Sequence, residues 1–359
     1  MLLLAEQLVS RGWEATVFAL EKDGELIEKA TQAGVSIVDG GYRRTQPLSC
    51  RMASLVYAFL KLVVHLVSSR PHVVHGFLPL TNFLAAVAGR MTLRPAIVTS
   101  KRGLANHQDH SPIAKLLDRI SNRLSHVVTA NSSAVAEDCS RRDGYPIDRI
   151  VVIPNGLDFS IYGRANDRRA QARKELGFAE ADIAIVNVAN LIPYKGHYEL
   201  IEAFATLSKQ DDRLRLVLIG DDRGILTALR RQVESLGLEK TVRFLGQRND
   251  VAALLPAMDV GVMASHEEGF SNALLEKVAA GLPVVATHVG GNPKALEGMP
   301  GCVLVEPRDA GSLADGLSTV LGWLPHDAEA RKTRKELIQS KYSVCSMVDA
   351  YEEIYSNHL

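Results

Sequence analysis

The chain is poor in cysteine. Cys50, Cys139, Cys302 and Cys345 lie far apart in 359 residues, with no C-x-x-C pair. That spacing argues against a zinc site or a disulfide framework and fits a reducing compartment. An excess of charge is missing too, with 41 Lys plus Arg against 41 Asp plus Glu. A formal charge of zero removes the general electrostatic case for a nucleic-acid partner and leaves only local patches. No long apolar run occurs. The most apolar stretch, Leu55 to Val67, contains Lys61 and His65 and falls short of the ~18–20 uninterrupted residues of a membrane span. The opening MLLLAEQLVSRG has no basic segment and meets Glu6 too early for a signal peptide. What is present is globular: 47% apolar and 23% charged residues, in a length that holds two or three domains at ~100–200 residues each.

Helical and strand patterns alternate along the chain. Helices are expected over Met1–Arg11, Gly24–Ala33, Leu48–Arg70, Asn82–Arg90 and Ser111–Ser125. Strands are expected over Glu14–Leu20, Val35–Val38, His72–His75, Ala96–Ser100 and His126–Ala130. Short, continuously apolar strands separated by helices specify a parallel sheet covered on both faces. Ile150 to Asp158 reads as a break. The pattern restarts with a charged helix at Ala165–Gly177 and strands at Ile183–Ala189, Leu214–Ile219, Val242–Leu245, Val260–Met263, Pro283–Ala286 and Cys302–Val305. This makes two doubly wound domains, 1–162 and 163–343, and a last helix within 344–359 that comes after all the second-domain strands and either closes that domain or packs back on the first.

The chain opens inside a helix whose strand follows it. Dinucleotide-type domains begin with a strand and a glycine-rich turn into that helix. Either the first domain is unusual, or Met1 is an internal methionine of a longer protein.

Ligands of open α/β sheets bind beyond the carboxyl ends of the strands, so the segments just after strands matter most. The richest is ASHEEGFSNALLEKVAAGLPVVATHVGG from Ala264. A small-residue turn at Gly269–Asn272 leads into a helix at about Ala273–Ala280, whose N-terminus suits a pyrophosphate. Glu268 and Glu276 flank that point. Carboxylates repel phosphate but accept from neutral hydroxyls, so one suits a sugar and the other a ribose. Read alone, Glu268 is equally a solvated loop residue and Glu276 a surface helix residue. Lys195, beside Gly196 in the loop after a strand, suits a phosphate as a point charge; read alone, it is an ordinary exposed lysine. Weaker glycine turns follow at Gly220–Asp221 and at Gly246–Gln247–Arg248.

The order of these segments closely resembles that of the family-4 retaining glycosyltransferases, also called glycosyl transferase group 1. It runs K-G, LIG-D, FLG, then E-G-F-S-N-x3-E-x4-G-L-P-V-V-A and G-G-N-P, with PHVVH, TANS and VIPNGLD as softer marks in the first half. The resemblance implies the GT-B fold: two facing Rossmann-like, doubly wound parallel-sheet domains with a cleft between them. The first would bind acceptor and the second donor. It implies sugar transfer from a nucleotide diphosphate sugar, as co-substrate, with retained anomeric configuration, no cofactor and no obligatory metal. Glu268 would bind donor-sugar hydroxyls and Glu276 the ribose. The backbone of Gly269, Phe270, Ser271 and Asn272 would hold diphosphate and sugar. Lys195 would neutralise the departing diphosphate, and the loop around Gly246, Gln247 and Arg248 would border the base.

The chain departs from this pattern at three places. Asn190 stands where the family often has an arginine, which makes Arg102 a candidate phosphate ligand from the first domain. Ser100-Lys101-Arg102-Gly103 offers no histidine beside the reacting sugar; His75 is the substitute by position, ahead of His107 and His110. The first strand and its glycine loop are missing.

The acceptor class implied is a saccharide or a polyprenyl-linked sugar in polysaccharide or glycolipid assembly, with no nucleic-acid partner and a cytoplasmic setting. The helix Leu48–Arg70, preceded by Arg43 and Arg44, suits the anionic inner face of a membrane, or is an ordinary crossover helix buried on the sheet. Competing readings are a truncated or degenerate paralogue that binds nucleotide sugar without turnover, a nucleotide-sugar epimerase of the same architecture, and a glycoside hydrolase using Glu268 and Glu276. The last is disfavoured by their placement around a phosphate-suited helix start.

Overall fold

The computed structural model describes residues 1–22, 25–93, 96–104, 111–162, 165–324 and 328–358. His107 and His110 lie outside them. The chain divides into two compact units, Met1–Gly156 with Val344–Leu359, and Leu157–Ser343.

The first unit contains α1 (Leu2–Ser10), β1 (Thr16–Ala19), α2 (Glu25–Gln32), β2 (Ser36–Asp39), α3 (Leu48–Ser69), β3 (Val73–Gly76), α4 (Pro79–Thr92), β4 (Ala96–Lys101), α5 (Pro112–Leu124), β5 (Val127–Ala130), α6 (Ser133–Asp143) and β6 (Ile150–Val152). The second contains α7 (Ala165–Glu175), β7 (Ile183–Val188), α8 (His197–Ser208), β8 (Leu214–Ile219), α9 (Leu226–Ser235), β9 (Val242–Gly246), α10 (Val251–Leu254), β10 (Val260–Met263), α11 (Asn272–Ala279), β11 (Val284–Thr287), α12 (Asn292–Leu296), β12 (Val303–Val305), α13 (Ala310–Leu321) and α14 (Ala328–Tyr342). The closing α15 (Val344–Ser356) belongs to the first unit.

In the first unit β3, β4, β5 and β6 form a parallel sheet in that order, while β1 and β2 pair separately. Ile150, expected in a break, instead begins β6 and pairs with Val128 of β5. The strand is three residues long with Val151 and Val152 exposed, so its apolar signal is brief. The helix α6 before it has only a short apolar stripe, Val135, Ala136 and Cys139. Its inward side carries acids: Asp143 receives Arg142 Nε at 2.8 Å and Asn122 Nδ2 at 3.0 Å. Asp118 of α5 holds Lys101 at 2.8 Å and also pairs with Arg142. Buried charges packed this way are stable only as a connected network.

Helix α15 closes this unit. Met347, Val348, Tyr351 and Tyr355 share a buried cluster with Leu4 and Leu8 of α1 and Val98 of β4. At the rim Trp13 Nε1 donates to Glu352 at 2.7 Å and Arg11 pairs with Asp349 at 2.6 Å. Helix α3 buries Ala58, Leu62 and Leu66, and the latter two meet Leu84 and Ala88 of α4. By length and composition alone α3 is long and apolar enough to cross a membrane; within this unit its inner side is part of the core.

The second unit has one six-stranded parallel sheet in the order β12-β11-β10-β7-β8-β9. Alternate residues of β7 feed two cores: Ala184 and Val186 enter one, Ile185 the other. A sheet buried on both faces reads as an uninterrupted apolar run, as IAIVNV does. The units divide at Gly156/Leu157, six residues ahead of the expected 162/163. Leu157 N–H donates to Tyr342 O at 2.9 Å, and Leu157 and Tyr162 both enter the second unit's core. The fold is thus α/β with two Rossmann-like parallel-sheet units.

Candidate functional site

A cavity of about 400 Å³ opens at the carboxyl ends of β7, β8, β9 and β10. Val188, Ile219 and Met263, each the last residue of its strand, line it. Around them stand Asn190, Lys195, Gly220, Asp221, Arg223, Gln247, Arg248, Glu268 and Ser271. Four separated segments of sequence therefore meet where a parallel sheet presents ligands.

Each segment is fixed by its own local chemistry. Lys195 ends a short 3-10 turn, and Gly196 follows at φ +69°. A Cβ at Gly196 would sit 1.9 Å from Ala264 O, so only glycine lets this loop pass against β10. His197, fully buried at the start of α8, ties the loop down: its Nε2–H donates to Asn190 O at 3.0 Å. Burial lowers the pKa of His197 and keeps the ring neutral. Asn190 Oδ1 in turn accepts from Asp221 N–H at 3.3 Å.

The Glu268 loop rests on the turn after β11. A Cβ on Gly290, at φ +52°, would meet Glu268 O at 1.6 Å, and Gly291 N–H donates to Gly269 O at 3.1 Å. That contact accounts for the G-G-N-P motif. Asn292 Nδ2 donates to Thr287 O at 3.1 Å, and Thr287 Oγ1 donates to Ser265 O at 2.6 Å, which completes the support.

The two strongest candidate side chains meet. Lys195 Nζ lies 2.6 Å from Glu268 Oε1, which also accepts from Ser265 Oγ at 2.7 Å. Both side chains are mostly buried. Removing either partner would leave a poorly hydrated charge behind, a change that costs about 3–5 kcal/mol when such a pair is fully buried. Ser271 caps α11 by accepting from Leu274 N–H at 3.3 Å, and Ser271 and Ala273 turn this helix start to the cavity. Glu276 sits further along α11. Burial raises its pKa and the neighbouring Lys277 charge works against the rise.

Gly196, Gly246, Gly269, Phe270, Asn272 and Glu276 are not among the lining residues. Phe270 points its ring into the core, 5.3 Å from Tyr342. His75 and Arg102 belong to the first unit. His75 Nδ1 is 2.7 Å from Tyr355 Oη and Nε2 is 2.7 Å from Ser100 Oγ, with the Phe77 ring tilted against it, centroids 4.0 Å apart. Burial holds its pKa well below the ordinary value, so the ring is a neutral, doubly bonded link between α15 and the sheet. Arg102 donates to Asn155 Oδ1 at 2.6 Å and lies over the Phe77 ring.

Two residues of the second-unit site are not marked by the sequence pattern. Arg223 lines the cavity and pairs with Asp221 at 2.9 Å; a cation three places past Gly220 is the available signal. Lys277 is wholly buried, with Nζ donating to Ala273 O at 3.1 Å. Its stem runs over Gly261 of β10, where a Cβ would meet Lys277 Cδ at 2.8 Å. Burial pushes its pKa down to about 8.

Residues 1–160 match the family model for Glycosyltransferase Family 4, and residues 182–322 match Glycosyl transferases group 1. A D-inositol 3-phosphate glycosyltransferase of Corynebacterium glutamicum is 35% identical over 204 residues, which cover 54% of this chain. The chain spans about half the length of that relative, 49%. A UDP-Gal:alpha-D-GlcNAc-diphosphoundecaprenol alpha-1,3-galactosyltransferase of Escherichia coli is 24% identical over 86% of this chain and 82% of its own. Among solved structures, Anabaena HepE in complex with UDP-glucose superposes with a TM-score of 0.86 at 23% identity, over 99% of this chain and 94% of that one. At that identity the likeness speaks for the fold. Two adjoining matches of one kind, spanning most of the chain, agree with the motif order and with the parallel-sheet fold: the chain belongs to the family-4, group 1 glycosyltransferases.

Proposed function

We propose that the chain transfers a sugar from a nucleoside diphosphate sugar to a saccharide or lipid-linked acceptor, with retained anomeric configuration and without a metal ion. The observation that carries this reading is the cavity itself: Lys195, Arg223 and Arg248 stand around it with the start of α11, and Glu268 sits at its edge. Cations and a helix N-terminus favour a diphosphate, whereas a carboxylate beside them favours sugar hydroxyls. In this role Lys195 leaves Glu268 and turns to the diphosphate, stabilising charge as the leaving group departs. Glu268, released, accepts from the donor sugar. Glu276 accepts from the ribose. Arg223 supplies the cation that Asn190 does not, and Gln247 and Arg248 border the base.

The two relatives lend support on substrate class. The E. coli protein is named for a UDP-sugar donor and a diphosphoundecaprenol-linked acceptor, and HepE was crystallised with UDP-glucose. The first unit is assigned the acceptor. With a lipid-linked acceptor the reaction would run at the cytoplasmic face of a membrane.

Titrating the full chain with UDP, GDP, ADP and TDP in EDTA, by calorimetry, tests the donor site. One nucleoside diphosphate should bind. Glu276→Gln should weaken free nucleotide and donor alike, while Glu268→Gln should spare the nucleotide and lower turnover of the donor. Each lost charged hydrogen bond is worth ~1.5–3 kcal/mol, or about ten- to a hundredfold. Absence of heat with all four nucleotides, from folded protein, would reject the donor site. Binding without transfer or donor hydrolysis would favour the non-catalytic paralogue.

A further inference from the structure

Two loops of the second unit meet at the edge of the cavity. One follows β7 and carries Lys195; the other follows β10 and carries Glu268. Gly196 passes so close to Ala264 O that a Cβ there would lie 1.9 Å from it. His266 N–H donates to Tyr194 O at 2.7 Å. The His266 ring crosses to the first turn of α8, where its Nε2–H donates to Glu199 Oε1 at 2.9 Å. Both side chains of that pair are mostly buried. Helix α8 is a firm anchor, since His197, Leu200, Ile201 and Phe204 are wholly buried. His266 therefore grips the chain on both sides of Lys195, at Tyr194 before it and at Glu199 after it.

These contacts differ in kind from the Lys195–Glu268 pair at 2.6 Å. That pair must open if Lys195 is to turn to a diphosphate and Glu268 to a sugar. The turn after β11 supports Glu268 itself, through Gly290 and Gly291, but it does not set the spacing between Glu268 and Lys195. We propose that the His266–Glu199 contact is a positioning brace, which keeps the Glu268 loop in register with Lys195 and α8 while the ion pair is exchanged for ligand. This role rests on the sugar transfer proposed above. Neither residue touches the ligand; each acts through the loop it holds. The brace contributes order more than stability. Glu199 Oε2 is buried and has no hydrogen-bond partner among the described residues, and an unpaired buried acceptor works against the folded state.

The test compares His266→Ala, Glu199→Leu, the double variant and Glu199→Gln in the full chain. The last keeps an acceptor for the His266 N–H. The probes are UDP-, GDP-, ADP- and TDP-glucose in EDTA, read as release of the nucleoside diphosphate. A displacement of ~1 Å at reacting groups is worth up to about a hundredfold in rate. His266→Ala and Glu199→Leu should each lower kcat by about ten- to a hundredfold, while binding free nucleotide as wild type does. The double variant should lose no more than the worse single one, because both remove the same contact. Glu199→Gln should keep most of the wild-type kcat. Glu199→Leu also removes the unpaired oxygen, so its Tm should not fall, which keeps the test decisive if His266→Ala is unstable. Without any donor, amide exchange at 264–268 should quicken in His266→Ala. Single variants with wild-type kcat, losses that multiply in the double variant, or unchanged exchange would overturn the brace. Wild type that binds no nucleotide and hydrolyses no donor would reject the transfer reaction itself, and this role with it.

Discussion

An ammonium group without water is costly, and Lys277 is held that way between α11 and Gly261 with one carbonyl for a partner. Its stability effect has a definite sign. In the unfolded chain the group titrates near 10.5; in the folded chain burial brings it to about 8. Below pH 8 both states keep the proton and the folded state carries the whole penalty. Between 8 and 10.5 only the unfolded chain holds it, so stability climbs with pH. Lys277→Met should therefore stabilise the chain at pH 7, by on the order of 3 kcal/mol, and the gain should shrink toward zero above pH 10.5. Thermal melts of both proteins from pH 7 to 10.5 check this; a constant difference in Tm would show that Lys277 does not deprotonate as argued. Its charge lies near Glu268 and Lys195, and a positive charge beneath α11 favours an anion at its start.

Elements whose burial follows hydropathy were legible in the sequence, and elements buried by charge were not. The strands of the second unit and the helix after Ser271 emerge within a residue or two of expectation because both faces of that sheet are apolar. The sequence pattern announces no helix at α6 and reads as a break at β6. Asp138 and Asp143 point inward on α6, so its pattern resembles a loop. Helix α5 inverts the rule outright, burying Asp118, Ser121 and Asn122 while exposing Ile113 and Leu116. At the site, spacing brought out Lys195, Glu268 and the glycine turns, because backbone geometry demands those glycines. It did not reveal that Lys195 and Glu268 pair, since that depends on the Gly290 turn from another strand. Elements also differ in how firmly they are held. Among the described residues β1 pairs with β2 alone, whereas β4 is bonded on both sides and buried along its length. Amide exchange by mass spectrometry should therefore show 16–19 and 36–39 exchanging well before 96–101 and 127–130. Equal protection would mean that β1 acquires a second partner in solution.

The whole molecule is threaded so that one unit is continuous and the other is not. Residues 157–343 carry the six-stranded sheet, a core on each of its faces and the entire cavity. The first unit needs its last helix from the far end of the chain. Tyr351 and Tyr355 are nearly fully buried, and His75 bonds Tyr355 on one side and Ser100 on the other. A buried aromatic contributes ~150–250 Å², which at ~25 cal/mol per Å² is about 4–6 kcal/mol each. This upper estimate is comparable with the ~5–15 kcal/mol that holds a domain together. Two truncations should therefore behave differently. The segment 157–343 alone should melt cooperatively and bind the same nucleoside diphosphate as the full chain, with similar affinity in EDTA. The chain cut after Ser343 should lose the first unit's transition while the second unit still melts and still binds nucleotide. Calorimetric scans of both, followed by titration, separate the outcomes. If removing 344–359 left both transitions in place, α15 would be a covering element and His75 would not hold the first unit closed. If 157–343 folded but bound no nucleotide, the anion site would require residues from outside the second unit, and the assignment of Lys195, Arg223 and Glu276 as sufficient for the donor would fail.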